Sequence, residues 1–207
     1  MTIIAFISQK GGVGKSTLSQ ALAVEASKQK LKTLLADYDP QQKTSCEWAK
    51  RRNSTSKHLI VQEFITFNQI LVQEKAYDLI IVDGPARTSR GTLEIAQQAN
   101  LIIQPTGSSL ADLKPSVLEF HSLVKAGISK KKLFFVLNHL ATASEEVAAK
   151  EYLKTAGYSF FDQSLKEKAS YRQVQNQGLA ISEINYPSLK KQVQQLVKEI
   201  IKKVSSS

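Results

Sequence analysis

The segment SQKGGVGKST, residues 8–17, has the residue types of a phosphate-binding loop. Its glycines lack side chains, so successive backbone N–H groups could turn inward on an anion. Those glycines are Gly11, Gly12 and Gly14. Lys15 could reach the β- and γ-phosphates of a nucleotide, and the Ser16 hydroxyl could ligate Mg²⁺. The spacing therefore indicates phosphate binding with a metal ion at the same place.

The loop departs from the common pattern G-x-x-x-x-G-K-[ST] at its first position, where Gln9 replaces glycine. A second lysine, Lys10, follows directly. Two lysines give more positive charge than one triphosphate cradle needs. Lys10 could therefore point away from its own loop and reach a nucleotide that a second subunit holds.

Two further segments place carboxylates directly after apolar runs. LLADYDPQQ (34–42) carries Asp37 and Asp39, and LIIVDGPA (79–86) carries Asp83. Ligands of open parallel sheets bind at the carboxyl ends of the strands. Alternation along a strand would send Asp37 and Asp39 the same way, and Asp83 could hold Mg²⁺ through a water molecule. These carboxylates are expected to complete the phosphate site.

Strand and helix patterns alternate along the chain, which predicts an α/β fold with a mostly parallel twisted sheet and helices on both faces. The predicted strands are 2–8, 32–37, 77–83, 100–105 and 132–138. The predicted helices are 17–30, 94–99, 113–124 and 142–156, the last opened by the capping-box pattern Thr142 to Glu145. The loop thus lies between a strand and a helix, as a phosphate loop requires.

The chain has 207 residues, 42% of them hydrophobic, which predicts one domain over 1–207 with a frayed tail at 205–207. No apolar run is long enough to span a membrane, and no secretory leader pattern is visible. The only cysteine, Cys46, excludes an internal disulfide and favours a cytoplasmic protein. A net charge of +10 favours a polyanionic partner, although a solvated lysine-rich surface would have the same composition.

KGGVGKST resembles the deviant Walker A motif of the ParA/MinD superfamily of P-loop ATPases, in which the first glycine is commonly replaced and the early lysine contacts ATP across a dimer interface. D-x-D-P-Q resembles switch I of that family, and LIIVDGPA its Walker B and switch II. The resemblance implies a P-loop NTPase fold, ATP and Mg²⁺ as cofactors, and ATP hydrolysis. The catalytic residues it implies are Lys10, Lys15 and Asp39, and the metal ligands are Ser16, Asp39 and Asp83.

The same resemblance gives a set of nucleotide-binding residues, with Asn138 at a position often used for the adenine ring. They are Lys10, Gly11, Gly12, Val13, Gly14, Lys15, Ser16, Thr17 and Asn138. Pro105 and Asp112 match a family segment near the nucleotide or the dimer interface, although an acid at a helix N-terminus equally explains Asp112. QNQGLAISEI (175–184) resembles the late family segment G-x-x-[IV]-x-E. His139 is interpreted as a surface histidine without an obvious partner.

Arg87 and Arg90 follow the switch II resemblance, and they are interpreted as polar surface positions on the switch rather than as arginine fingers.

Three branches of the family compete. A ParA-type partition ATPase would form an ATP-bound homodimer, bind DNA non-specifically on the nucleoid, and respond to a centromere-binding, ParB-like adaptor. A MinD-like ATPase would bind membranes through a C-terminal amphipathic helix. A relative of the nitrogenase iron protein would need cysteines for a cluster, and a lone Cys46 does not fit.

The positive charge favours the ParA-type branch. The basic candidates for a DNA-binding face are Lys130, Lys131, Lys132, Lys150, Lys154, Lys166, Lys168, Arg172 and the C-terminal lysines. The C-terminal stretch 188–207 has apolar residues at helical spacing and lysines opposite them, as interfacial helices do. It lacks the bulky aromatics of such anchors, so packing on the sheet is the favoured interpretation.

Overall fold

The computed structural model describes residues 1–53, 56–86 and 90–205. The strands are β1 Thr2–Ser8, β2 Thr33–Asp37, β3 Leu59–Glu63, β4 Leu79–Ala86, β5 Leu101–Thr106, β6 Leu133–Leu137 and β7 Ser159–Phe160. They form one sheet in the order β3-β2-β4-β1-β5-β6-β7, and every neighbouring pair is parallel. The central strands are buried on both faces, as their continuous apolar sequences predict.

Eight α-helices connect or follow the strands in the described part of the chain. They are α1 Lys15–Lys28, α2 Thr44–Arg51, α3 Phe67–Leu71, α4 Arg90–Gln98, α5 Leu110–Lys125, α6 Ala143–Thr155, α7 Ala169–Asn176 and α8 Pro187–Ser205. Each face of the sheet has its own core. Alternate residues of β1 supply both, since Ile3, Ala5 and Ile7 join one core whereas Ile4 and Phe6 join the other.

The helices divide between the two faces of the sheet. One core contains side chains of α3, α4, α5 and α6, and the other contains side chains of α1, α2, α7 and α8. The predicted fold class, a P-loop NTPase fold with helices on both faces, is confirmed. No helix in the described ranges has the length and apolar character needed to cross a bilayer.

The five predicted strands are all present, and β3 and β7 are additional. The helix predicted from Thr17 begins at Lys15, and the one predicted from Glu94 begins at Arg90. One half of the predicted capping box is observed, because the Glu145 N–H donates to Thr142 Oγ1 at 3.2 Å. The Glu145 carboxylate accepts the N–H of Ala141 at 3.2 Å instead of the N–H of Thr142. Ser205, assigned to a frayed tail, is the last residue of α8, and residues 206–207 lie outside the described ranges.

The C-terminal helix α8 packs its apolar stripe on the sheet. Val193, Leu196, Val197 and Ile200 are buried in the core that also contains α1. This confirms the favoured prediction, in which α8 packs on the sheet, rather than the alternative, in which its apolar face is open to a membrane.

Candidate functional site

The site is built at the carboxyl edge of the sheet, where β1, β2 and β4 end side by side. Asp83 of β4 is in register with Asp37 of β2 on one side and with Phe6 of β1 on the other. The phosphate loop continues from β1 and leads directly into α1, which begins at Lys15. Parallel pairing therefore brings together three segments that are far apart in the sequence.

Two glycines have backbone angles that only glycine adopts without strain. Gly12 has φ +75° and Gly14 has φ +100°. A Cβ on Gly14 would collide with the amide of Asn138, whereas a Cβ on Gly11 or Gly12 would meet nothing within 4 Å. The loop is therefore tightly packed behind Gly14 and open beside Gly11 and Gly12, as a cradle for a phosphate requires.

Asn138 supports the loop from behind. Its Nδ2 donates to the Val13 carbonyl at 2.9 Å, and the residue is buried. This bond fixes the loop just before α1, a role that the sequence does not predict. Adenine contact by Asn138 stays a prediction.

Lys15 lies at the start of α1 and is only 7% exposed. Burial lowers the pKa of its ammonium, and the carboxylates of Asp83, Asp39 and Glu119 act in the opposite direction. The loop thus holds a buried cation at a helix N-terminus, where a phosphate anion would be stabilised by both.

Asp83 is a buried acid of the site, with an exposure of 2%. Its Oδ2 accepts a hydrogen bond from Ser45 Oγ at 2.7 Å, and the Ser16 hydroxyl acts to lower the pKa of this carboxyl. Its Oδ1 is buried and has no partner among the described residues. Burial raises the pKa of Asp83 to about 7, so a nearby cation would favour the ionised form.

These residues fit a magnesium ion. The Ser16 hydroxyl and the Asp83 carboxylate are hard oxygen donors, and the unpartnered Oδ1 is an oxygen that a metal-bound water could reach. The described ranges contain no group of three or more His, Cys, Asp or Glu side chains able to hold a metal. Further ligands would therefore come from phosphate and water, as is usual for Mg²⁺.

The two acids of switch I have different surroundings. Asp37 is fully buried, and its Oδ2 accepts the Cys46 N–H at 2.9 Å, which holds the start of α2. Asp39 is partly exposed, and its Oδ1 accepts the N–H groups of Gln41 and Gln42 at 3.2 and 3.1 Å. The alternation expected for a strand does not apply to Asp39, because β2 ends at Asp37.

The Lys10 ammonium forms an ion pair with Asp112 in the first turn of α5. The Lys10 side chain is 48% exposed. Beside this pair, the loop and residues 107–109 line a cavity of about 200 Å³. Lys10 is therefore exposed and paired with α5, whereas Lys15 is buried.

Two further residues of the site are not among those that the sequence predicts. Glu119 of α5 is buried and accepts the Gln9 N–H at 3.1 Å and Gln104 Nε2 at 2.6 Å, and burial raises its pKa to about 6. Ser45 of α2 contacts Asp83, as described above. Glu119 could be found from the sequence, because it is a carboxylate on the buried face of a predicted helix. No sequence feature points to Ser45.

The late segment resembling G-x-x-[IV]-x-E holds the end of α2. Arg52 forms two hydrogen bonds to the Glu183 carboxylate, at 2.6 and 2.8 Å, and one to the Gly178 carbonyl at 3.2 Å. Trp48 Nε1 donates to the Leu179 carbonyl at 3.1 Å. The segment after α7 is thus fastened to the helix that follows switch I.

Three other predicted positions have separate outcomes. His139, assigned no partner, has its Nδ1 3.8 Å from a Glu167 carboxylate oxygen. His139 is exposed, as its interpretation as a surface histidine expects, and its backbone has φ +57°. Burial raises the pKa of the Cys46 thiol to about 12. Arg87 lies outside the described residues.

Similarity to known proteins agrees with this geometry. Residues 1–74 match a family described as an AAA domain, AAA_31. The chain is 27% identical over 181 residues to the maintenance of carboxysome distribution protein A of Gloeobacter kilaueensis, covering 86% of this chain and 83% of that protein. It is 26% identical over 202 residues to the chromosome-partitioning ATPase Soj of Treponema pallidum, covering 95% and 76%.

The fold is also that of a solved relative. The structure of the MinC:MinD cell division protein complex of Aquifex aeolicus superposes with a TM-score of 0.82 at 16% identity, over 98% of this chain and 96% of that one. The loop, the two aspartate-bearing strand ends and these relatives lead to one assignment. The chain resembles the ParA/MinD superfamily of P-loop ATPases in sequence and in fold, and the site agrees with ATP binding and ATPase activity.

Proposed function

We propose that the chain is a DNA partition ATPase that forms an ATP-bound sandwich dimer, binds DNA non-specifically and releases it on hydrolysis. A centromere-binding, ParB-like adaptor would stimulate the hydrolysis, and the protein would reside on the nucleoid. The observation that best supports DNA binding is a lysine-lined groove at the edge of the sheet opposite the ATP site. The relative named Soj, a chromosome-partitioning ATPase, supports the same role.

At the ATP site, each residue has a task that follows from its surroundings. Lys15 and the loop N–H groups neutralise the phosphates. Ser16 and Asp83 would hold Mg²⁺, which would supply charge neutralisation for the phosphates. Asp39, fixed by two N–H groups of its own turn and partly open to solvent, positions the attacking water.

Dimerisation would depend on Lys10. Its ion pair with Asp112 is exposed, so exchanging Asp112 for a phosphate in the partner's site costs little. A lysine that is used only across the interface makes ATP binding and dimerisation one linked event. Two DNA-binding faces joined in one dimer then bind much better than either alone.

Replacing Lys10 by alanine is expected to abolish the ATP-dependent dimer while ATP still binds the monomer, because Lys15 and the loop remain. Sedimentation velocity with ATP and Mg²⁺ measures the dimer directly. Lys28→Ala is the control, since it removes a lysine of similar exposure, 45%, from an ion pair with Glu25. A dimer that persists in Lys10→Ala would refute the cross-subunit role.

The groove for DNA lies where the strands begin. Lys131 and Lys132 of the turn before β6 and Lys203 of α8 line a cavity of about 530 Å³, and none of the described residues that line it is acidic. Lys203 Nζ lies 4.9 Å from the centre of the Phe134 ring, a cation–π contact at the same groove. Non-specific DNA binding needs such lysines to contact phosphates.

The structure separates the basic residues predicted for the DNA face. Lys150 pairs with Glu146, and Arg172 pairs with Glu167, so the positive charge of both is offset within the chain. Lys131 and Lys132 are therefore stronger candidates than Lys150 and Arg172. Because the groove is at the amino edge and the phosphate loop is at the carboxyl edge, DNA and ATP could be bound together.

The testing experiment is a mobility shift with random-sequence duplex DNA and a flotation assay with anionic liposomes, each with ATP and with ADP. We expect salt-sensitive DNA binding that needs ATP. The double variant Lys131→Glu, Lys132→Glu should lose it. The control Lys57→Glu, Lys75→Glu changes the net charge equally at exposed positions outside the groove.

Binding to liposomes without binding to DNA would instead support the second candidate, a MinD-like membrane-associated ATPase. The similarity of fold to MinD favours this candidate. The buried apolar stripe of α8 disfavours it, because an interfacial helix needs that stripe for the lipid.

A further inference from the structure

A chain of hydrogen bonds inside the protein connects α7 to the carboxylate of Asp83. Gln175 Nε2 donates to Gln20 Oε1 at 3.2 Å, and Gln20 Nε2 donates to Ser45 Oγ at 3.3 Å. The Ser45 hydroxyl then donates to Asp83 Oδ2 at 2.7 Å. Gln20 and Ser45 are 1% and 0% exposed, so bulk water does not compete for these bonds.

The direction of this relay follows from the chemistry of its members. An ionised Asp83 can only accept, so Ser45 must use its single O–H to donate to it. Ser45 can then only accept from Gln20, which must present its NH₂ group to Ser45 and its oxygen to Gln175. Every hydrogen bond of the relay therefore has a donor facing an acceptor. The Asp83 carboxylate, which can only accept, sets the direction of all of them.

The relay satisfies only one oxygen of Asp83. Oδ2 is held by Ser45, whereas Oδ1 is buried and has no partner among the described residues. A buried carboxylate oxygen without a partner is costly unless a ligand completes it. Fixing Oδ2 also fixes the plane of the carboxylate, and with it the place of Oδ1.

We propose that Ser45 is a positioning residue of the magnesium site, which acts through Asp83 by fixing the carboxylate with Oδ1 turned to the ion and its water. Gln20 and Gln175 support Ser45 in this role. The inference rests on the proposed Mg²⁺ site at Ser16 and Asp83. Partners that orient metal-binding carboxylates commonly matter nearly as much as the ligands themselves.

Ser45 is itself held from both ends of its helix. Asp37 accepts the N–H of the next residue, Cys46, at 2.9 Å. Arg52, directly after α2, forms an ion pair with Glu183. A hydroxyl on an anchored helix keeps its position better than one on a loop, so it is suited to orient a metal ligand.

The test is the Mg²⁺ concentration that half-saturates the fluorescence change of a methylanthraniloyl-ATP probe, in the full chain. In Ser45→Ala we expect that concentration to rise about tenfold or more. Probe affinity in EDTA should stay unchanged, because the loop and Lys15 are intact. If the Ser45 hydroxyl had only a structural role in the core, Ser45→Ala would change the thermal stability and leave the Mg²⁺ requirement unchanged.

Ser27→Ala is the matched control. It removes a buried hydroxyl that donates to the Val24 carbonyl at 2.9 Å in α1, far along the helix from Lys15. Gln20→Leu removes the next link while keeping Ser45, and it should raise the Mg²⁺ requirement by a smaller factor. This variant also provides the answer if Ser45→Ala does not fold.

Two results would overturn the inference in distinguishable ways. If the wild-type chain needs Mg²⁺ but neither Ser45→Ala nor Gln20→Leu shifts the requirement, the positioning role is wrong and the metal site stands. If the wild-type probe signal does not respond to Mg²⁺ at all, the proposed metal site fails and the positioning role fails with it.

Discussion

The variant Lys15→Ala is expected to lose ATP binding almost completely. Lys15 is a buried ammonium at the N-terminus of α1, and three carboxylates lie within its electrostatic reach. Without it, the phosphates would meet Asp83, Asp39 and Glu119 without the Lys15 ammonium to offset their charge. Removing one partner of a buried charge pair costs about 2–5 kcal/mol or more, so affinity should fall by at least about thirtyfold.

Equilibrium titration with a fluorescent ATP analogue measures this loss, and circular dichroism confirms that the variant is folded. Lys28→Ala is again the control, because Lys28 ends the same helix but pairs with Glu25 at the surface. It should bind ATP as the wild type does. An unchanged affinity in Lys15→Ala would rule out the assignment of the loop as the phosphate site.

For the variants Asp39→Ala and Asp39→Asn, we expect hydrolysis to fall while ATP binding persists. An aspartate that positions or activates water contributes about 10²–10⁴ to the rate, and kcat should fall by about that factor. Asparagine keeps an oxygen that can accept the N–H groups of Gln41 and Gln42, so it preserves the turn and removes only the charge. The ATP-bound dimer should accumulate in both variants.

Phosphate release at saturating ATP gives kcat, and sedimentation gives the dimer fraction. Asp78→Asn is the matched control, since Asp78 also accepts a backbone N–H, that of Lys32 at 2.9 Å, but at an exposed position away from the loop. Normal turnover in Asp39→Asn would remove the Asp39 carboxylate from the mechanism.

The fold could be predicted wherever the sequence signal was local. β1 and β4 are continuous apolar runs, and the lengths of the helices between strands imply parallel pairing. β3 was missed because LIVQE is an edge strand that alternates between partly buried and exposed residues, so it lacks an apolar run. β7 has only two residues, Ser159 and Phe160, which is too short for any periodicity.

Individual site residues could be predicted only where a sequence motif lies at the end of a predicted strand. Lys15, Ser16 and Asp83 follow from their positions after β1 and in β4. The bond between Ser45 and Asp83 joins residues 38 apart, and the pair of Lys10 with Asp112 joins residues 102 apart. No pattern in a short segment encodes such contacts, because only the assembled sheet and the packing of α2 and α5 create them.

The order of the strands has a consequence for how the protein opens. The edges of the sheet are β3 and the two-residue β7, while β1 and β4, which carry the phosphate loop and Asp83, lie near the middle. Edge strands detach at low cost, whereas central ones exchange their amide hydrogens only when the whole domain unfolds. The groups proposed to hold ATP thus lie on the central strands, which are expected to open last when the protein unfolds locally.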